Sequence, residues 1–248
     1  MKSLARYLLG RSGRAAAARV HFEMIGPRLM GQARRGARSW SQFGEDEFIV
    51  QEMNASSGGN AISQGYYVDI GANHPARLSN TYRLYNLGMR GLCADPNEML
   101  CQLIARYRPE DEVVACAVGP EDKLARFYEL ARHEFSTFSQ SEYEMRIAHG
   151  HRLRRAALKP VLRLATILES YRPPGRPRFE LLSVDTEGWD EQVLRSNDWQ
   201  RFRPRLIVVE SNTDEARAGA QAYLQSVGYE LVKTFEINGI FRDAHGAD

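Results

Sequence analysis

The stretch YYVDIGANHP, residues 66–75, constrains this chain most. Tyr66 to Ile70 reads as a short apolar strand that ends on Asp69 and breaks at Gly71. A strand that delivers an acid and then a glycine into a turn is how open α/β sheets build nucleotide sites. The glycine lets backbone approach a ligand closely, and the following helix offers unpaired N–H groups. About 25 residues later a second strand, in RGLCADPNEML, ends on Asp95. An acid at that place can accept both ribose hydroxyls of an adenosine cofactor.

The glycine count discriminates between cofactors. A dinucleotide fingerprint reads G-x-G-x-x-G, and its second glycine lets a pyrophosphate sit against backbone. Here the run is Gly71-Ala72-Asn73-His74-Pro75, with one glycine. A site without that room suits a smaller adenosine ligand, for which S-adenosylmethionine is the candidate, with Asp69 and Asn73 at the amino-acid end and Asp95 at the ribose. NAD is the weaker reading.

Downstream, apolar runs and helical patterns alternate. After a helix entry at SQFGEDEFIVQEM (41–53), the pattern predicts strands over 66–70, 91–95, 112–117, 123–130, 179–185, 205–210 and 229–235, and a last short strand near 237–242. Helices are expected over about 79–88, 97–107, 189–196 and 214–227. Segment 141–159, which ends in HGHRLRRAALK, looks like an insertion or a mobile cap, and RPPGRPR (172–178) is a Pro-rich connector. Strands that alternate with helices and finish in two consecutive strands argue for an open α/β sheet in which the last strand is antiparallel.

Charge divides the chain. Residues 1–40 carry nine Lys/Arg against one acid, Glu23, for a net +8, which leaves 24 basic and 30 acidic residues, or −6, for the remainder. The reading is a basic N-terminal extension, 1–38, ahead of a mildly acidic domain, 39–248. The extension is read as a solvated tail or cap helix, a presequence, or a segment lying on an anionic membrane through Leu4, Leu8 and Leu9. Mean hydropathy is −0.46 and no run of 18 apolar residues exists, so no spanning helix is expected. Cys93, Cys101 and Cys116 make no C-x-x-C pair, and the first and last fall in predicted strands, where a thiol acts as a small buried hydrophobe. A reducing, cytoplasmic setting follows.

Four predicted strands end on acids: Asp69, Asp95, Asp185 and Glu210. In open sheets ligands bind beyond the carboxyl ends of the strands. In LLSVDTEGWD, Asp185 and Glu187 lie two apart and project together only if the turn permits it. Methyl transfer to an alcohol requires an aligned acceptor oxygen and removal of its proton. Asp185 or Glu187 could be that base, or the pair could hold a divalent metal that acidifies the alcohol. His74 is a second candidate base, although a lone histidine before proline is more often structural. His149 and His151 stand in a basic run and suit contact with an anionic substrate.

These pieces resemble the FkbM family of S-adenosylmethionine-dependent methyltransferases over roughly residues 39–243, through SQFGEDEFI, YYVDIGANHP, LSNTYRLYNLGMRGLCADPN, FSTFS and SVDTEGWDEQVLRSNDWQRFRPRLIVVE in that order. The family's usual opening is D-x-G-A-N-x-G; this chain has His-Pro at 74–75, as in a subgroup with an ANHP…SNTY signature. The resemblance implies an α/β fold: a Rossmann-like class I methyltransferase with an open, mostly parallel seven-stranded sheet and helices on both faces. It implies cofactor contacts from Asp69, Gly71, Asn73, Asp95 and Asn97, and places Asp185 and Glu187 in a D-x-E-G motif near the transferred methyl. It implies O-methylation of a sugar, glycan or natural product.

Rival readings are an N-methyltransferase acting on nucleic acid or protein, and a non-catalytic binding or scaffold module. Base N-methylation commonly uses an Asn/Asp-Pro-Pro-aromatic turn where this chain has DTEGW, and an acidic domain makes a poor phosphate track, so no nucleic-acid partner is expected.

Overall fold

In the computed structural model, residues 39–57, 61–171, 173, 175 and 178–245 are described. The basic extension 1–38 lies outside the described residues, as does most of the 172–178 connector. The elements are α1 (Glu45–Ser57), α2 (Ala61–Gln64), β1 (Gly65–Ile70), α3 (Tyr82–Asn86), β2 (Arg90–Ala94), α4 (Glu98–Tyr107), β3 (Glu112–Val114), β4 (Ala117–Val118), β5 (Lys123–Leu130), α5 (Gln140–Ala148), β6 (Leu153–Leu162), α6 (Leu164–Ser170), β7 (Arg178–Val184), α7 (Asp190–Arg195), β8 (Leu206–Glu210), α8 (Asp214–Ser226), β9 (Tyr229–Phe235) and β10 (Asn238–Asp243).

Seven strands form one sheet in the order β3-β2-β1-β7-β8-β10-β9. β1 pairs β2 in parallel, β2 pairs β3 in parallel, and β10 runs antiparallel to both β8 and β9. This is the expected fold class, including the antiparallel strand near the end. The central strands β1, β2, β7 and β8 are near-continuous buried runs, as parallel strands covered on both faces require.

Contacts divide the chain into two compact units. One runs to Ala115 and takes in Pro173–Ser183; the other comprises Cys116–Arg172 and Val184–Asp248. The first has a core of Ile49, Met53, Tyr67, Val68, Leu84 and Ile104, all fully buried. Strand order reverses beside β1, with β2 on one side and β7 on the other. Such a switch point leaves a crevice outside the carboxyl end of β1. Glycine is required at position 91, where an added Cβ would lie 2.3 Å from the Tyr67 ring.

The second unit has its own core, including Leu164, Val193, Leu194, Leu206, Val208, Leu224 and Ile240. It also contains a small sheet, β4-β6-β5, that the sequence reading lacked. The predicted strand over 112–117 is in fact two, β3 and β4, which enter different sheets. Segment 141–159 is likewise built as a helix and most of a ten-residue strand, β6, which pairs β5 in antiparallel register from Lys123↔Val161 to Leu130↔Leu153. Pro160 hid this strand. β4 reaches only Val161 and Leu162, so Pro160 has an open side, where a missing N–H costs least.

All three cysteines are buried free thiols, in agreement with the sequence reading. Among the described residues no helix is long and apolar enough to cross a membrane.

Candidate functional site

The turn after β1 is built on left-handed backbone. Gly71 has φ 77° and Asn73 has φ 50°, a region that glycine and asparagine enter at least cost. Gly71 and Ala72 both donate their N–H groups to the Ala94 carbonyl, at 2.9 and 3.2 Å, which binds this turn to the end of β2. There Asp95 completes the bracket. Its Oδ2 accepts the Asn73 N–H at 3.0 Å and its Oδ1 accepts the Asn97 N–H at 2.7 Å. Asn97 in turn caps α4, its side-chain oxygen accepting from the Met99 N–H at 3.1 Å.

Four of the sequence-derived cofactor residues, Gly71, Asn73, Asp95 and Asn97, therefore form one connected cradle. Asn73 Oδ1 and Asn97 Nδ2 are buried without a hydrogen-bond partner among the described residues. One is an acceptor and the other a donor. This set fits S-adenosylmethionine, which brings an ammonium, a carboxylate, ribose hydroxyls and adenine nitrogens to be bound.

Asp69 stands one layer deeper and is 5% exposed. Thr81 donates to its Oδ2 at 2.5 Å and accepts from Arg108 Nη2 at 2.9 Å. Arg108, fully buried, also donates to the Tyr67 hydroxyl at 2.7 Å and to Asp111 Oδ2 at 2.8 Å, while Tyr67 donates to Asp111 at 2.5 Å. Burial pushes the Asp69 carboxyl above its usual range, against the pull of Arg108 and its hydrogen bonds to Thr81 and Ser183. Sequence reading missed this chain. Its members come from β1, the loop before α3 and the loop between α4 and β3, and no spacing marks them as partners.

His74 is 5% exposed, and its Nδ1 accepts the N–H groups of Ala76 at 3.1 Å and Arg77 at 2.9 Å. That lone pair is committed to the backbone, so the neutral ring carries its proton on Nε2.

In the second unit the acids that follow β7 converge with the acid ending β8. Carboxylate oxygens of Asp185, Glu187 and Glu210 all lie within 4.8 Å of one another, and the three residues are half-buried. The turn does permit Asp185 and Glu187 to project together, because Glu187 takes φ 54° and Gly188 φ 104°. Asp190 holds that turn. Its Oδ1 accepts from the Thr186 N–H and hydroxyl at 2.8 and 2.9 Å, and its Oδ2 from the Gly188 N–H at 3.2 Å. Trp189 packs beside it against Phe138, with ring centroids 5.4 Å apart.

Three acids so close cannot all ionise freely. Burial, with a hydrogen bond and repulsion from Glu210, pushes the Asp185 carboxyl well above the usual carboxylate range. Burial and the Glu210 charge push Glu187 up to about 7, with Arg146 pulling the other way. The cluster can present Glu187 as a base near neutrality. The same oxygens could hold a divalent cation. Sequence reading had noted Glu210 only as a strand end; that it joins Asp185 is a contact across 25 residues that neighbouring strand ends create. His149 is exposed, and His151 is half-buried with its ring edge-on to Phe135 at 4.5 Å.

Comparison with known proteins bears on these features. The profile of a family described as "Methyltransferase FkbM domain" matches residues 69–231, which is 163 of the 248 residues. No curated protein sequence matches the chain. Among solved structures the chain is similar to a TehB-like SAM-dependent methyltransferase from Corynebacterium glutamicum, at 12% identity and TM-score 0.42, over 91% of this chain and 99% of that one. It is similar to a precorrin-6y C5,15-methyltransferase from Geobacter metallireducens, at 12% identity and TM-score 0.42, over 83% and 91%. It is also similar to an O-methyltransferase from Bacillus cereus in complex with SAH, at 10% identity and TM-score 0.39, over 96% and 95%. At these identities and TM-scores the likenesses add nothing to the description of the site.

Proposed function

The chain belongs to the FkbM methyltransferase domain family and is an S-adenosylmethionine-dependent methyltransferase; from that premise we propose that it O-methylates a hydroxyl of a sugar, glycan or natural product, with Glu187 as the base. The observation that carries this reading is the Glu187 carboxyl, pushed up to about 7 beside Asp185 and Glu210. An alcohol must lose its proton as its oxygen is alkylated, whereas a neutral amine can attack with a free lone pair. A base with a pKa near working pH is what the first reaction needs.

When bound, S-adenosylmethionine supplies an electrophilic methyl on a sulfonium. The chain's part is to bind, to orient and to take a proton. Asp95 would receive the ribose hydroxyls. Asn73 Oδ1 would accept from the ammonium, and Asn97 Nδ2 would donate to an acceptor of the nucleoside. Asp69, held by Thr81 and Arg108, would supply negative charge behind the turn. At the acid cluster, Glu187 would remove the acceptor's proton. Asp185, whose carboxyl burial and Glu210 push well above the usual range, stands beside it, and Asp190 fixes the turn that aims it.

Three buried free thiols suit a reducing compartment, and a cytoplasmic setting belongs to this proposal. The test is transfer of a labelled methyl to hydroxyl acceptors by wild type and by Glu187→Gln. The proposal requires transfer by the first and a large loss in the second.

A further inference from the structure

Charge is unevenly spread within the domain as well as between it and its extension. Residues 123–162 hold eight Lys/Arg and four acids, a net +4, while the rest of 41–248 holds 16 basic and 26 acidic residues, a net −10. This basic segment is β5, α5 and β6, the hairpin and helix that the seven-stranded sheet does not use.

Register fixes what the hairpin presents. Leu124 lies opposite Pro160, Arg126 opposite Leu158, and Tyr128 opposite Ala156, so these six share one face. The Tyr128 end is covered, its ring stacked on Tyr143 of α5 at 4.2 Å. The other end is open: Leu124 is 67% exposed and Leu158 is 60% exposed, with Arg126 exposed between them. Single exposed leucines are ordinary, but two on neighbouring rungs around an arginine make a surface with two chemistries. Arg154 and Arg155 stand further along the same strand, each about half exposed and each ion-paired with Glu129 at 3.2 Å, so Arg126 is the arginine this face offers.

We infer that this face of the β5–β6 hairpin docks the protein on an anionic lipid bilayer, the leucines entering the headgroup boundary and Arg126 meeting lipid phosphates and carboxylates within a net-basic segment. A soluble anionic ligand would account for Arg126 and leave the leucines unexplained. Self-association through β5, the edge of its sheet, is opposed by the exposed cation Arg126 along it. The segment 1–38, itself +8, is the wrong charge to cover the face. The inference is independent of the methyl acceptor and of the reaction.

The test is co-sedimentation of the full chain with vesicles of phosphatidylcholine alone and of phosphatidylcholine mixed with phosphatidylserine. Binding to the anionic vesicles only is expected, weakening with added salt. The pair Leu124→Ser and Leu158→Ser, and separately Arg126→Glu, are each expected to weaken it by about tenfold. Both variants alter exposed side chains, and an unchanged thermal transition shows that they fold; Arg126→Glu stands alone if the leucine pair does not. Absence of vesicle binding overturns the inference, as does binding that neither variant alters, the outcome if residues 1–38 reach the bilayer instead. A wild-type dimer in solution that the leucine pair converts to monomer also overturns it, assigning the face to a second copy.

Discussion

Asp95 accepts the backbone N–H of Asn73 at 3.0 Å and so joins the turn after β1 to the end of β2 across 22 residues. One carboxylate thus sets the shape of the cradle before any ligand arrives, since its other oxygen holds the Asn97 N–H that starts α4. Preorganisation of this kind makes Asp95 a structural group as well as the ribose-binding group of the proposed function.

Asp95→Ala is expected to act at both levels. Two backbone donors lose their acceptor, at a cost of about 1–3 kcal/mol of stability. Affinity for S-adenosylmethionine is expected to fall by about tenfold or more, one good polar contact being worth that much. Calorimetric titration and denaturant unfolding measure the two effects separately, and Asp95→Asn is expected to retain more of the fold than of the affinity.

Thr81→Val tests the buried chain from Arg108 to Asp69. The change keeps volume and deletes the hydroxyl that both groups share. A destabilisation of about 1–3 kcal/mol is expected, because a buried carboxylate loses a donor and a buried guanidinium an acceptor. Thr81→Ser keeps the hydroxyl and is expected to lie near wild type in urea unfolding.

Stability should depend on pH through the acid cluster, with a definite sign. Glu187 is raised from its ordinary value of 4.5 to about 7 in the folded protein. Between those values the native state holds a proton that the unfolded chain has released. Stability is therefore greatest below about pH 4.5 as far as this group is concerned, falls as pH rises towards 7, and levels above it, by about 3 kcal/mol at most. Asp185, also raised, adds to the same slope. Thermal unfolding from pH 5.5 to 8 is expected to show a shallower decline in Glu187→Gln than in wild type.

Removal of residues 1–38 is expected to leave affinity for S-adenosylmethionine unchanged. The proposed cofactor groups run from Asp69 to Asn97, and the family match begins at residue 69. A calorimetric comparison of the shortened and full chains checks this.

Much of the fold was legible because its signals are local. β1 and β2 are short apolar runs, each with an acid at or just beyond its end, and the final antiparallel strand follows from two consecutive strand patterns. The cradle was legible as residue types at strand ends. What escaped was contact between distant positions. Arg108 and Tyr67 meet across 41 residues, with nothing in either neighbourhood to announce the other. β6 escaped for a different reason: its Arg, Ala, Lys and Pro content is poor in strand formers, and pairing with β5 decides its conformation. Glu187 was legible as a candidate, but its left-handed backbone, which turns it towards Asp185, was not.

The most direct test of the account is to incubate the full chain with S-adenosylmethionine bearing a labelled methyl and a panel of sugar, glycan, natural-product and amine acceptors, and to determine by mass spectrometry and NMR which atom receives the label. The account expects a methyl ether, formed at a rate that rises through about pH 7 as Glu187 ionises and that is largely lost in Glu187→Gln. Label on nitrogen, or an ether formed equally well by Glu187→Gln, would contradict it.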